Sequence, residues 1–88
     1  MDTKDKIIEI LKEKFSIQKL EVVDDTLKHV GHKEAQKSQG GHFSIHIISQ
    51  DFAGKTLLER HRMIHDALKK ELGKQIHALG IKATAPTD

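Results

Sequence analysis

The sequence predicts a two-layer α+β domain: two helices on one face of a three-stranded sheet, in the order helix, strand, strand, helix, strand. Three observations carry this. Apolar residues recur with helical spacing in two separate stretches, they alternate with period two from His42 onward, and the chain has only 88 residues and no cysteine. A chain of that length forms one domain, 1–88, and buries about 60% of the surface its unfolded form exposes. Without disulfides its stability rests on packing and backbone hydrogen bonds, and the simplest way to bury two helical stripes is against a single sheet face.

Ile7, Ile8, Leu11 and Phe15 fall at i, i+1, i+4 and i+8, with lysines and acids opposite, so Lys4 to Phe15 reads as an amphipathic first helix. Leu20-Glu21-Val22-Val23 is a short β-prone run closed by the turn-favouring pair Asp24-Asp25. Thr26 to Gly41 lacks periodicity and ends in Ser38-Gln39-Gly40-Gly41. A polar loop of that length is expected to be functional or mobile. Phe43, Ile45 and Ile47 then alternate with His42, Ser44 and His46, the pattern of a half-buried strand. Thr56 with Glu59 forms a capping box, and Leu57, Ile64, Leu68 and Leu72 share one face, so the second helix is placed at Leu57 to Leu72 with Gly73 ending it. Ile76 to Ala83 alternates weakly and supplies a third strand before Pro86.

The composition narrows the function. Fifteen basic and 13 acidic residues give a net charge of +2, too balanced for strong nucleic-acid capture by field alone. Met1 to Phe15 is charged throughout and no stretch approaches the roughly 18 apolar residues of a membrane span, so a cytoplasmic protein without membrane attachment is expected. Seven histidines stand beside only three aromatic residues, all phenylalanine. Imidazole chemistry is the first candidate.

Phe52-Ala53-Gly54-Lys55, then Leu57-Leu58-Glu59-Arg60-His61-Arg62, then Ile76-His77-Ala78-Leu79 resemble successive signatures of the BolA family. Leu20 to Asp25 and Gly41-His42-Phe43 match its pattern as well, so the resemblance runs from Leu20 to Pro86. It implies a fold similar to type II KH domains, no catalytic activity, and association with a monothiol glutaredoxin in iron–sulfur trafficking or iron homeostasis. It also implies a [2Fe-2S] cluster shared with that partner, which supplies a cysteine and glutathione. The isolated protein, a monomer or weak dimer, is then expected to carry no cofactor. The ligand positions of the family correspond here to His29 in the loop and His77 in the last strand.

Two imidazoles on one iron are chemically sound, because Rieske centres use such ligation. His32, three residues after His29, is an alternative loop ligand, and either imidazole could reach the metal. Read from the residues alone, both loop histidines are equally consistent with plain solvation, and His77 with a half-buried group hydrogen-bonded in the sheet. His61, between Leu57, Ile64 and Leu68, reads as a hydrogen-bonded core residue. Arg60 and Arg62 flank that face, while His42, His46 and His65 form an exposed patch or nothing. A catalytic zinc held by His29, His32 and His77 would lack a recognisable general base. Gly54-Lys55-Thr56 is not a phosphate-binding loop, because Ser49 stands where the first glycine is required.

The rival class is a DNA-binding transcriptional regulator. A KH-like fold invites it, yet the GxxG clamp is absent and base stacking would fall to phenylalanines assigned to the core. Lys69, Lys70, Lys74 and Lys82 could still contact phosphates.

Overall fold

The computed structural model of the protein describes residues 2–26 and 41–88. Its elements are α1 (Thr3–Lys14), β1 (Ile17–Asp24), β2 (Gly41–Ser49), a short 3-10 turn (Gln50–Phe52), α2 (Leu57–Ala67) and β3 (Ile76–Thr84). The predicted α+β class and element order are both present.

Each helix starts where its capping chemistry dictates. Asp2 accepts a hydrogen bond from the Asp5 amide (2.9 Å) at the head of α1. At α2 the Thr56 hydroxyl accepts from the Glu59 amide (3.1 Å) while the Glu59 carboxylate accepts from the Thr56 amide (2.8 Å), the reciprocal box read from the sequence. The Thr56 amide, followed by its hydroxyl, holds the Glu59 carboxyl below its ordinary range.

The three strands form one mixed sheet in the order β1-β2-β3, with β1 antiparallel and β3 parallel to β2. Phe43, Ile45 and Ile47 of β2 point inward with Val22 of β1 and Ala83 of β3, and they share a single core with Ile7 and Leu11 of α1 and Ile64 of α2. Both helices therefore cover the same face. His42, Ser44, His46 and Ile48 take the opposite face, where their cross-strand partners include Glu21, Val23, Ala78, Gly80 and Lys82.

Beyond one-residue shifts at element ends, two boundaries and one burial assignment differ from the sequence reading. β1 begins at Ile17, ahead of the expected Leu20, because Ser49 and Asp51 extend the pairing with a polar latch. The buried Ser49 hydroxyl donates to the Ser16 carbonyl (2.6 Å), and the Ser16 amide donates to the Asp51 carboxylate (2.8 Å). α2 ends at Ala67 rather than Leu72. Leu68 leaves helical geometry, and the chain turns through Gly73 (φ 83°), whose amide donates to the Ile76 carbonyl and leads directly into β3. Leu57, expected on the buried stripe, is 68% exposed, since the first turn of α2 overhangs the core that Ile64 and Leu68 fill. Among the described residues, no helix is long and apolar enough to cross a membrane.

Candidate metal-ligand site

β2 and β3 begin at the same end of the sheet, and their register slips there by one residue. Gly41 pairs with Ile76, but His42 already pairs with Ala78, so β3 contains an extra residue, His77. A bulge of this kind re-aims a side chain that regular alternation would have placed elsewhere. Ile76 remains fully buried and Leu79 and Ile81 face inward, while His77 between them is exposed. The half-buried, sheet-bonded reading of His77 is therefore corrected: counting parity back from Ile81 fails across the bulge.

The His77 ring lies against that of His42, with centroids 5.2 Å apart and planes inclined at 53°. His42 is fixed through its backbone. Its amide donates to the Thr26 hydroxyl (3.0 Å), and its carbonyl accepts from the Asp25 amide (2.7 Å). The Asp25 carboxylate in turn accepts from the Ser44 hydroxyl, one position along the same face of β2. Gly41 closes the arrangement: its amide donates to the Gln75 carbonyl (2.8 Å), and a Cβ built on it would lie 2.7 Å from the Thr26 hydroxyl and 2.8 Å from the Phe43 ring. Only glycine lets the chain pass so near both groups.

Thr26 and Gly41 are thus joined through His42 at the end of the sheet where His77 projects. They are also the attachment points of the segment that carries His29 and His32. Those two histidines, and the mobility expected of their loop, lie in 27–40, outside the described residues. The histidine that sequence reasoning set aside is His42. Period-two alternation already turned it away from the core, but its pairing with His77 depends on a parallel register between strands separated by all of α2.

The remaining histidines fall elsewhere. His46, on the same face as His42, stands between Glu21 and Lys82 on the neighbouring strands, and His65 is exposed on α2. His61 is half-buried as its helical phase predicts, yet its Nε2 is out of solvent without a hydrogen-bond partner, so the expectation of a hydrogen-bonded core histidine is not met. Arg60 is structural: its Nε donates to the Lys55 carbonyl (3.0 Å), one Nη to the Ala83 carbonyl (3.1 Å), and the guanidinium pairs with Asp88. That pairing raises the Arg60 pKa and lowers that of Asp88. Among the described residues no group of three or more histidines or acids is arranged to hold a metal, so the His42–His77 pair on its own is an incomplete coordination set.

A mixed sheet with both helices on one face and a bulged, histidine-bearing strand end defines a small two-layer α+β domain. Residues 11–88 match the model of the BolA-like protein family, and the chain belongs to that family. It is 39% identical over 87 residues to the chloroplastic/mitochondrial SufE-like protein 1 of Arabidopsis thaliana, covering 94% of this chain but only 24% of that relative. This chain thus spans about a quarter of that plant protein. A putative bolA-like protein of Caenorhabditis elegans is 38% identical over 81 residues, 88% of this chain and 71% of its own. Among solved structures, the BolA domain of SufE1 from Arabidopsis thaliana superposes with a TM-score of 0.82 at 38% identity, covering 96% of this chain and 92% of that one. BolA1 from the same plant superposes with a TM-score of 0.83 at 26% identity, covering 100% and 96%.

Proposed function

We propose that this protein is a non-catalytic partner of a monothiol glutaredoxin and helps hold a [2Fe-2S] cluster as shared cargo, with His77 and one loop histidine, His29 or His32, as its ligands. The observation that supports this is the exposure of His77 on a bulge at the end of the sheet where the segment bearing His29 and His32 departs and returns. Three residues of chain span at most about 11 Å, which bounds how far His29 can lie from Thr26 along the chain. Neutral imidazole donors suit a [2Fe-2S] iron, and a cysteine and glutathione from the partner would serve the other iron. Ligation by imidazole also requires the unprotonated ring, which makes cluster retention weaken as the solution is acidified.

The role left to this chain is presentation. The end of the sheet holds His77, and the attachment points of the segment carrying His29 and His32 lie beside it. Co-expression with a monothiol glutaredoxin, read by visible absorption and circular dichroism, tests the reading. His77→Ala should alter the spectrum and shorten the cluster's lifetime while the isolated fold persists. His29→Ala should do the same, and His32→Ala should matter less unless the two imidazoles substitute for one another. Identical spectra and lifetimes for the parent, His77→Ala and the His29/His32 double variant would show histidine ligation to be wrong.

A further inference from the structure

We infer that the outer edge of β3 is a surface for a second copy of this chain: two copies pair antiparallel along it, about a two-fold axis at Gly80, and their sheets join into one. Among the described residues, β2 is the only strand beside β3. The directions of the backbone groups then follow from two hydrogen bonds. The His42 carbonyl accepts from the Asp25 amide, so that residue's backbone faces β1, whereas the Gly41 amide donates to the Gln75 carbonyl and faces the β3 side. Alternation carries Phe43 and Ile45 to the β3 side as well, and in a parallel ladder each bonds to the residues flanking its partner. Phe43, opposite Leu79, thus bonds to Ala78 and Gly80, and Ile45, opposite Ile81, bonds to Gly80 and Lys82. The amides and carbonyls of Leu79, Ile81 and Ala83 are left directed away from β2. An Arg60 Nη reaches the Ala83 carbonyl (3.1 Å), as that direction requires.

The edge is self-complementary in one register. Pairing Leu79 with the same residue of the second copy would enlist His77 at the bulge, and pairing Ile81 with itself would enlist the Ala83 carbonyl that Arg60 already holds. Pairing Leu79 with Ile81 uses neither, and each such pair exchanges both of its backbone bonds. The side chains agree with it. Leu79 and Ile81 are half-buried apolar residues packed against the core, so their pairing continues the core across the junction. On the open side of the sheet Gly80 meets Gly80, and Lys82 meets Ala78 and not a like charge. Ala78 to Ile81 has none of the charges or prolines that ordinarily block an edge. The outer edge of β1, by contrast, displays exposed Lys19, Glu21 and Asp24 and is irregular between Ile17 and Lys19. A contact of one strand per copy belongs with small interfaces, under about 1,200 Å² in total, so the dimer is weak. It is independent of the cluster reading and leaves His77 outside the bonded pairs.

Sedimentation equilibrium of the full chain should show a mass that rises from 9.9 kDa toward twice that value as the concentration approaches millimolar. The amide NMR shifts that move with concentration should centre on Leu79 and Ile81. Gly80→Lys is the discriminating variant. A Cβ there meets nothing nearer than the Ser44 hydroxyl at 3.5 Å, so the monomer accommodates it, whereas the dimer sets two lysines directly against each other. It should weaken self-association about fivefold or more with the circular dichroism unchanged. Ala78→Glu, which places a carboxylate opposite Lys82 of the other copy, should tighten it about threefold or more. Glu21→Lys, on the edge of β1, should change nothing. A chain that stays monomeric up to millimolar concentration overturns the inference, as does self-association that Gly80→Lys leaves at full strength. If Gly80→Lys does not fold, Ala78→Glu decides: tightening supports the pairing and no change overturns it. Leu79 and Ile81 amides that ignore concentration and shift only when glutaredoxin is added would also overturn it, and would give this edge to that partner.

Discussion

The two ends of β3 are held in opposite ways. At its last residues the strand is locked: Ala83 and Ala85 are buried, and the Arg60 fork reaches from α2 to the Ala83 carbonyl and to Asp88 beyond the strand. At its first residues the strand is held by the inward side chain of Ile76 and by that residue's backbone hydrogen bonds with Glu71 and Gly73, and then bulges outward to expose His77. An element that presents a ligand needs both conditions, since a donor nitrogen is positioned well only when the backbone beneath it is fixed and its own ring remains reachable. Adjacent residues, Ile76 and His77, thus divide stability and presentation between them.

Substitutions along the strand should reproduce that division. Ile76→Ala should have the largest effect, a loss of about 2–5 kcal/mol of stability in chemical denaturation, because it empties a fully buried position. Ala83→Leu should destabilise by about 1–3 kcal/mol, as the locked end has no room for added methylenes. A similar loss of about 1–3 kcal/mol is expected for Gly41→Ala, whose new Cβ would press on Thr26 and the buried Phe43 ring. In that variant the amide NMR shifts should change most at Thr26, His42 and Phe43.

Arg60→Ala should lower the melting temperature by less, and with a distinctive pH dependence. Pairing with Arg60 depresses the Asp88 pKa, so its contribution is fully present above the ordinary carboxylate range and is lost as the pH falls through the depressed value. The gap between parent and Arg60→Ala should therefore narrow on acidification below about pH 4 and shrink in high salt. Asp88→Asn should remove most of that pH dependence. His77→Ala closes the series with a change within about 0.5 kcal/mol, as befits an exposed side chain. A large loss of stability there would mean that His77 helps hold the bulge and is not simply displayed by it.

His61 shows how an accurate local reading can still miss its chemistry. Helical phase correctly turned it toward the core beside Ile64 and Leu68, but a helical wheel carries no information about what faces Nε2 across the layer. The structure leaves that nitrogen enclosed and without a partner. Truncating His61 should therefore cost stability through lost packing and not through a lost hydrogen bond. Leu57 fails for a related reason: periodicity assigned it to the apolar stripe, but the core ends before the first turn of α2 does.

By itself the sequence determined what is encoded over a few residues. It specified the helical stripe of α1, the alternation of β2, the reciprocal cap of Thr56 and Glu59, the αβ order, and the family to which the chain belongs. These depend on side-chain spacing and on hydrogen bonds between near neighbours, so they can be read without knowing what lies opposite. Only the tertiary structure decided that β3 runs parallel to β2, that its register slips at His77, and that His42 becomes the neighbour of that ring. Those facts arise from strands that meet across the whole of α2. A one-residue slip in such a pairing reverses which face a side chain occupies, and no local pattern records it.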